Sequence, residues 1–295
     1  MSIFDGYKNK DNRETQRKNM QFQAKLKSRY HHIQLDACIE YQQYLVKKYE
    51  NPLTLKSQYS KARTLVNKYL LERKVKTKQV NQCREVFKLP VDVIQKINER
   101  YNAKVVKKNK MQIIVTVDEV EENINQAIKI LESDKSHYIN TMIAIAIVTG
   151  RRFYEIGCTA KFEHVLDHPQ QLLFTGQAKT RKSDTKENFY IPILIEPELI
   201  LQGLSKVRTT KPELTEFDGT RFNNLMSRQI NNKLDEMTLH GIKQPKDTRN
   251  LYLAYCIAKI KPLGVSNNAY AASILGHSDD DIETANSYMT HCVTE

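Results

Sequence analysis

Residues 138–150, YINTMIAIAIVTG, constrain the fold more than any other stretch. Ile139, Met142, Ile143, Ala146 and Ile147 fall at helical spacing in a segment with almost no polar side, and Gly150 supplies the stop. A helix without a polar face must be buried in a core. It is far shorter than the roughly 20 residues a membrane span needs. No other apolar run approaches that length, so the segment is a core helix and no membrane partner is expected.

The surrounding second half of the chain is well punctuated. VDEVEENINQAIKILES reads as an amphipathic helix through Val120, Ile124, Ile128 and Leu131. QQLLFTGQAK and NFYIPILI read as two strands joined by the polar turn TRKSDTKE. RFNNLMSRQINNKLDEM and TRNLYLAYCIAKI read as helices, and NNAYAASILG as a short helix closed by Gly276. A last helix is expected from Ser278, with Asp281 at the capping-box position and Asp279, Asp280 and Asp281 in the first turn, where the helix dipole favours acids. Its buried stripe would be Ile282, Ala285 and Met289, with Tyr288 on the flank, partly exposed. His277 would then sit in a tight corner between two helices.

Residues 1 to about 90 read as helices, and LPVDVIQKINERYN adds another. The stretch KVVKKNKMQIIVTVDEV turns from basic to β-rich to acidic, which marks a linker. The expected organisation is a helical, basic DNA-binding domain over 1–103, a linker over 104–118 and a second domain over 119–295. The fold class is mainly α with a small β-hairpin or sheet (α+β), and 295 residues comfortably hold two domains.

Lys and Arg total 46 against 34 Asp and Glu, a formal net charge of +12. Such an excess attracts polyanions through counterion release, so nucleic acid is the leading partner class. The stretch NPLTLKSQYSKARTLVNKYLLERKVKTKQV is densely basic with interleaved tyrosines. As a group, Lys56, Lys61, Arg63, Lys68, Arg73, Lys74, Lys76 and Lys78 are candidates for phosphate contact. Any one of them alone reads as a solvated helix face. The 5 cysteines are widely spaced without a C-x-x-C pair, which fits reduced thiols in a cytoplasm rather than a disulfide framework or zinc site. The first residues lack an apolar signal-peptide core. There is no P-loop and no carboxylate cluster for magnesium, so no metal or other cofactor is expected. His164 and His168, at helical spacing, lie in what reads as a loop and are taken as structural or solvated.

Four further pieces carry chemistry. TGRRFYEIG (149–157) fixes Arg152 where one helix stops and another starts, with Glu155 three residues on; a surface salt bridge between the two is the ordinary reading. GQAKTRK (176–182) puts Lys179 where a strand runs into a turn. KDTRNLYLAYC (246–256) sets Lys246 and Arg249 one turn apart at a helix start, where two cations oppose the dipole unless an anion binds. LGHSDDDIETANSY ends on Tyr288, the one tyrosine after His277.

Taken in order, Arg, Lys, Lys-x-x-Arg, Gly-His and Tyr resemble the tyrosine recombinase superfamily over roughly residues 118–295. Within it the chain looks most like the hairpin telomere resolvases, or protelomerases. TGRR has arginine where integrases usually have leucine, Lys246 stands where they usually have histidine with no second histidine following, and GQAKT feeds a YIP-type strand. The gap from His277 to Tyr288 is longer than in integrases, and NSY lacks the S-K-x-x-Y of type IB topoisomerases. The chain stops seven residues after Tyr288, like the compact resolvases.

The resemblance implies a tyrosine-recombinase-like catalytic domain and phosphoryl transfer. Tyr288 would attack a DNA phosphodiester, leaving a 3′-phosphotyrosine and a free 5′-hydroxyl. Arg152 and Arg249 would clamp the non-bridging oxygens, and Lys246 and His277 would add donors. Lys179 would be the general acid for the departing oxygen, with Lys182 the competing choice and otherwise a DNA contact. The partner would be double-stranded DNA at a palindromic telomere site, bound by a homodimer. The setting would be the cytoplasm of a prokaryotic cell, serving a phage, plasmid or linear replicon. An integrase exchanging strands between two sites, or a DNA-binding protein without catalysis, are the alternative readings.

Overall fold

A computed structural model describes residues 3–110, 112–165, 167–178, 188–276 and 288–295. The chain divides into two compact units, Met1–Val106 and Lys107–Glu295.

The first unit is helical, as its periodicity predicts: α1 (Ile3–Leu26), α2 (His31–Lys48), α3 (Pro52–Leu71), α4 (Thr77–Glu85) and α5 (Val91–Lys110). Its core gathers Phe22, Leu26, Leu45, Tyr59, Val66, Leu70 and Phe87, with Phe22 stacked on Tyr41 at a centroid distance of 4.3 Å. Asn51 caps α3 by accepting from the Leu53 amide, and Pro52 follows at the first turn, where its missing N–H costs nothing. Two tyrosines of the basic stretch are thereby structural. Tyr59 is in the core, and Tyr69 donates to Gln23 at 2.8 Å.

The span 104–118, read as a linker, includes the end of α5, strand β1 (Ile113–Thr116) and the first turn of α6 (Val117–Glu132). Thr116 and Glu119 form a reciprocal capping box at that turn, each satisfying an amide that the helix start leaves open.

In the second unit the apolar helix α7 (Tyr138–Thr149) is buried over nearly its whole length. Around it pack α6, α8 (Pro197–Thr210), α9 (Gly219–Asp235) and α10 (Pro245–Lys259). Met142, Ile143 and Ile145 are fully enclosed, and each side chain so buried stabilises the fold by about 1.5–3 kcal/mol. The short helix α11 (Asn267–Leu275) follows.

Strands β2 (Lys161–His164), β3 (Gln171–Thr175) and β4 (Asn188–Pro192) form an antiparallel sheet in that order. The hairpin strands β3 and β4 match the sequence reading. Strand β2 does not: His164 lies in a strand rather than a loop, half-exposed and 3.8 Å from Glu198. Strand β5 (His291–Thr294) was also unforeseen; it pairs in parallel with β1, Ile113 opposite His291.

Candidate active site

The site is built from the ends of helices. Helix α7 stops at Gly150, which has φ +65°. A Cβ there would lie 2.2 Å from Tyr252 Cδ1, so both the backbone and the packing require glycine. Helix α11 stops in the same way at Gly276, φ +68°, where a Cβ would meet the Phe189 ring at 2.4 Å. These two stops leave the last carbonyls of both helices without partners inside the helix, each at the negative end of a dipole.

Two buried arginines take those carbonyls. Arg249 donates from Nη1 to the Gly150 oxygen at 2.8 Å and from Nη2 to the Leu275 oxygen at 2.9 Å. Arg151 donates from Nη2 to the Ile274 oxygen at 2.7 Å and from Nε to the Thr149 oxygen at 3.2 Å. The Arg151 guanidinium lies against the Phe174 and Phe189 rings, 4.8 and 5.2 Å from their centroids. Arg151 Nη1 and Arg249 Nε are buried donors with no hydrogen-bond partner among the described residues.

Arg152 faces outward from the same turn. Its Nη1 donates to Glu155 Oε1 at 2.6 Å, its backbone amide to Glu155 Oε2 at 3.0 Å, and its Nη2 to the Tyr288 hydroxyl at 3.4 Å. The Arg152–Glu155 pair is therefore real, but it is not on the surface: Glu155 is completely buried at the start of a π-turn, Glu155–Thr159. Glu155 Oε1 also accepts from the Ala178 amide at 3.2 Å, which ties it to the exit of β3.

Tyr288 is buried, not on an exposed flank, and the chain from Tyr288 to Thr290 is turn and irregular rather than helical. Met289 thus has no place in a helical stripe. Over the Tyr288 ring stand Lys246 Nζ at 4.7 Å and the Arg249 guanidinium carbon at 5.0 Å. These groups line a cleft of about 390 Å³ together with Asn223 and Ser227 of α9.

The electrostatics follow from this crowding. Among the described residues, the cations Arg151, Arg152, Lys246 and Arg249 stand with the buried carboxylate of Glu155, and a second buried carboxylate, Asp247, lies at the start of α10. Burial, then the charges of Arg151 and Arg152, push the Arg249 guanidinium down to about 9. Burial raises the Glu155 carboxyl, but Arg249, Arg151 and Arg152 outweigh it and hold the group below the usual carboxylate value. For Tyr288 burial again opposes ionisation. Arg249, Arg152 with its hydrogen bond, and Lys246 outweigh it and hold the phenol below its ordinary value, which is about 10. Cations crowded around a phenol whose ionisation they favour suit an anionic partner.

Of the six expected catalytic residues, Arg152, Lys246, Arg249 and Tyr288 are brought together. Lys179, Lys182 and His277 lie outside the described residues, as do residues 278–287 of the expected last helix and the turn TRKSDTKE. The two cations at the start of α10 have a partial local answer. Asp247 accepts from the Lys243 and Gln244 amides at 3.2 Å, and the Gln244 side chain caps the helix in return, so that helix start supplies its own acid.

Sequence reasoning left Arg151 and Glu155 out of the site. Arg151 was visible only as the extra arginine of TGRR, and nothing in the sequence distinguishes a fully buried arginine from a solvated one. In the first unit, Lys56, Lys61, Lys68, Lys74, Lys76 and Lys78 are exposed and Arg63 is half-buried. Arg73 instead donates to the Lys27 and Ser28 carbonyls just past α1.

A buried tyrosine held among arginines and a lysine is an arrangement suited to phosphoryl transfer. Residues 114–291 match the family described as the telomere resolvase ResT/TelK catalytic domain, well over half of the chain. The chain belongs to the telomere resolvase family: it is a DNA strand transferase that cleaves and rejoins strands to close telomere ends as hairpins. No curated protein matches the sequence. Among solved structures it is similar to a protelomerase TelA mutant complexed with DNA hairpin product, with TM-score 0.71, 19% identity, 88% of this chain covered and 82% of that one. It is also similar to protelomerase TelA covalently complexed with substrate DNA (0.62, 19%, 83% and 84%) and to protelomerase TelK complexed with substrate DNA (0.60, 18%, 86% and 60%).

Proposed function

We propose that Tyr288 is the nucleophile of this reaction. Its phenol oxygen attacks the scissile phosphorus as its proton passes to solvent. The bond to the 5′-oxygen breaks, leaving a 3′-phosphotyrosine and a 5′-oxygen that takes a proton from Lys179 or Lys182. Rejoining is the reverse: a 5′-hydroxyl attacks the ester and the phenol departs. Each ester bond broken is replaced by another, so the exchange balances without ATP. The observation that carries this reading is the contact of Tyr288 with Arg152, Arg249 and Lys246 at once.

The arginines divide the work. The transition state places extra charge on the non-bridging oxygens, and planar guanidinium forks suit those positions. Arg152 meets them from the side of the phenol it already touches. Arg249 is held from behind by two helix-end carbonyls, so little reorganisation is needed when the phosphate arrives. Lys246 and His277 add donors.

The finer reading is a two-fold dimer acting on a palindromic telomere site in the cytoplasm of a prokaryotic host, on a phage, plasmid or other linear replicon. The exposed lysines of α3 and α4 grip the backbone, and the cut strands fold back onto their own complements. Incubation of the protein with a duplex carrying its own replicon's replicated telomere junction tests this. Two closed hairpin ends are expected; crossed recombinant products would favour an ordinary integrase, and intact DNA a binder without catalysis.

A further inference from the structure

Tyr288 is followed at once by residues that are tied down by buried hydrogen bonds. The Thr290 carbonyl accepts from the Ile113 amide at 2.9 Å as β5 joins β1. The Thr290 side chain is buried and meets Asn250, whose Nδ2 donates to its Oγ1 at 2.8 Å. Thr290 Oγ1 in turn lies 3.2 Å from His291 Nδ1, and His291 Nε2 lies 2.7 Å from the Gly241 carbonyl. His291 is buried as well.

At the Gly241 end the direction of this chain of bonds is set by chemistry. A carbonyl only accepts, so Nε2 carries the proton. In a neutral imidazole Nδ1 is then the acceptor, which makes the Thr290 hydroxyl its donor. That leaves a Thr290 lone pair for the Asn250 amide, which donates to it. The Asn250–Thr290 and Thr290–His291 bonds are buried, and a bond lost in a buried place is expensive.

The position of this relay matters more than its existence. Asn250 is the neighbour of Arg249 on α10. One residue holds the phosphate-binding guanidinium 5.0 Å from the Tyr288 ring, and the next holds the segment two residues beyond that tyrosine. We infer that the Asn250–Thr290–His291–Gly241 relay is a positioning device for the nucleophile: it registers Tyr288 against Arg249 from the carboxy-terminal side. None of its side chains needs to touch DNA. The inference rests on Tyr288 being the nucleophile.

Thr290→Val is the informative change, since it keeps the shape and removes the hydroxyl at the centre of the relay. The assay is single-turnover formation of the covalent protein–DNA adduct on a nicked duplex carrying the replicon's telomere junction, at saturating protein, with DNA affinity measured in parallel. A small misplacement of reacting atoms costs up to about 100-fold. Thr290→Val should slow adduct formation at least about tenfold on that scale, with DNA affinity unchanged. Thr290→Ser, which restores the hydroxyl, should recover the rate to within about threefold. Asn250→Ala, which removes the donor at the far end, should repeat the effect of Thr290→Val if that variant does not fold. A wild-type rate in folded Thr290→Val or Asn250→Ala overturns the inference, as does an equal loss in Thr290→Ser. Tyr288→Phe separates the two claims: an adduct surviving in it removes the nucleophile assignment, whereas its absence beside a wild-type rate in Thr290→Val removes only the relay.

Discussion

Glu155 gives the sharpest test of the electrostatic argument. It is wholly buried, and its two oxygens accept from the Arg152 guanidinium, the Arg152 amide and the Ala178 amide. Glu155→Gln preserves the shape but removes the charge that offsets Arg151, Arg152 and Arg249. It also turns an NH2 group towards one of those donors, so one buried bond must be lost. Removing one partner of a buried ion pair costs about 3–5 kcal/mol. For a unit of this size that lowers the melting temperature by about 6–20 °C.

The sign with pH follows from the direction of the shift. The folded Glu155 carboxyl ionises below its ordinary value because the three guanidiniums overcome burial. Its stabilisation is therefore present above the unfolded-state value, about 4.3, and is lost as pH falls through the folded value. The gap between wild type and Glu155→Gln should be widest at neutral pH and shrink in acid. Saturating DNA should narrow it too, since a phosphate supplies the missing anion. Thermal or urea unfolding at several pH values reads both effects. A loss below about 1 kcal/mol, the scale of an exposed ion pair, with no pH dependence, would refute the claim that the carboxylate holds a buried cationic cluster.

Three other outcomes are expected. The rate of adduct formation should rise with pH and level off below the ordinary phenol value of about 10, because Arg249, Arg152 and Lys246 favour the ionised Tyr288; Arg152→Gln should move that plateau upward in single-turnover pH profiles. Arg249→Lys should cut adduct formation by about 100- to 1000-fold, the cost of losing one oxyanion donor, because a single ammonium cannot replace the fork that bonds both Gly150 and Leu275. Gly150→Ala should cost about 2–6 kcal/mol of stability in urea titrations, the sum of left-handed strain and overpacking, since its Cβ would meet Tyr252.

The helices of this chain were legible because their apolar residues recur at helical spacing, and α7 stood out by lacking a polar face. The stops at Gly150 and Gly276 were legible because only glycine takes that backbone freely. Strands β2 and β5 were not: each is four residues long, and a pairing between residues 113–116 and 291–294 leaves no local pattern. The order of arginine, lysine and tyrosine motifs disclosed the family and four residues that the fold brings to one cleft. It did not disclose burial, so Arg152–Glu155 read as a surface pair and Tyr288 as a flank residue. Arg151, Glu155 and the Thr290 relay act through enclosed contacts with residues far away in sequence, which no spacing rule detects.

The most direct test is to trap the protein on a nicked suicide duplex carrying its telomere junction, digest the adduct and map the modified residue by mass spectrometry. A nucleotide ester on Tyr288 is expected. An ester on any other side chain, or cleavage without a covalent adduct, would contradict the reading of this cleft as the place where DNA is cut and resealed.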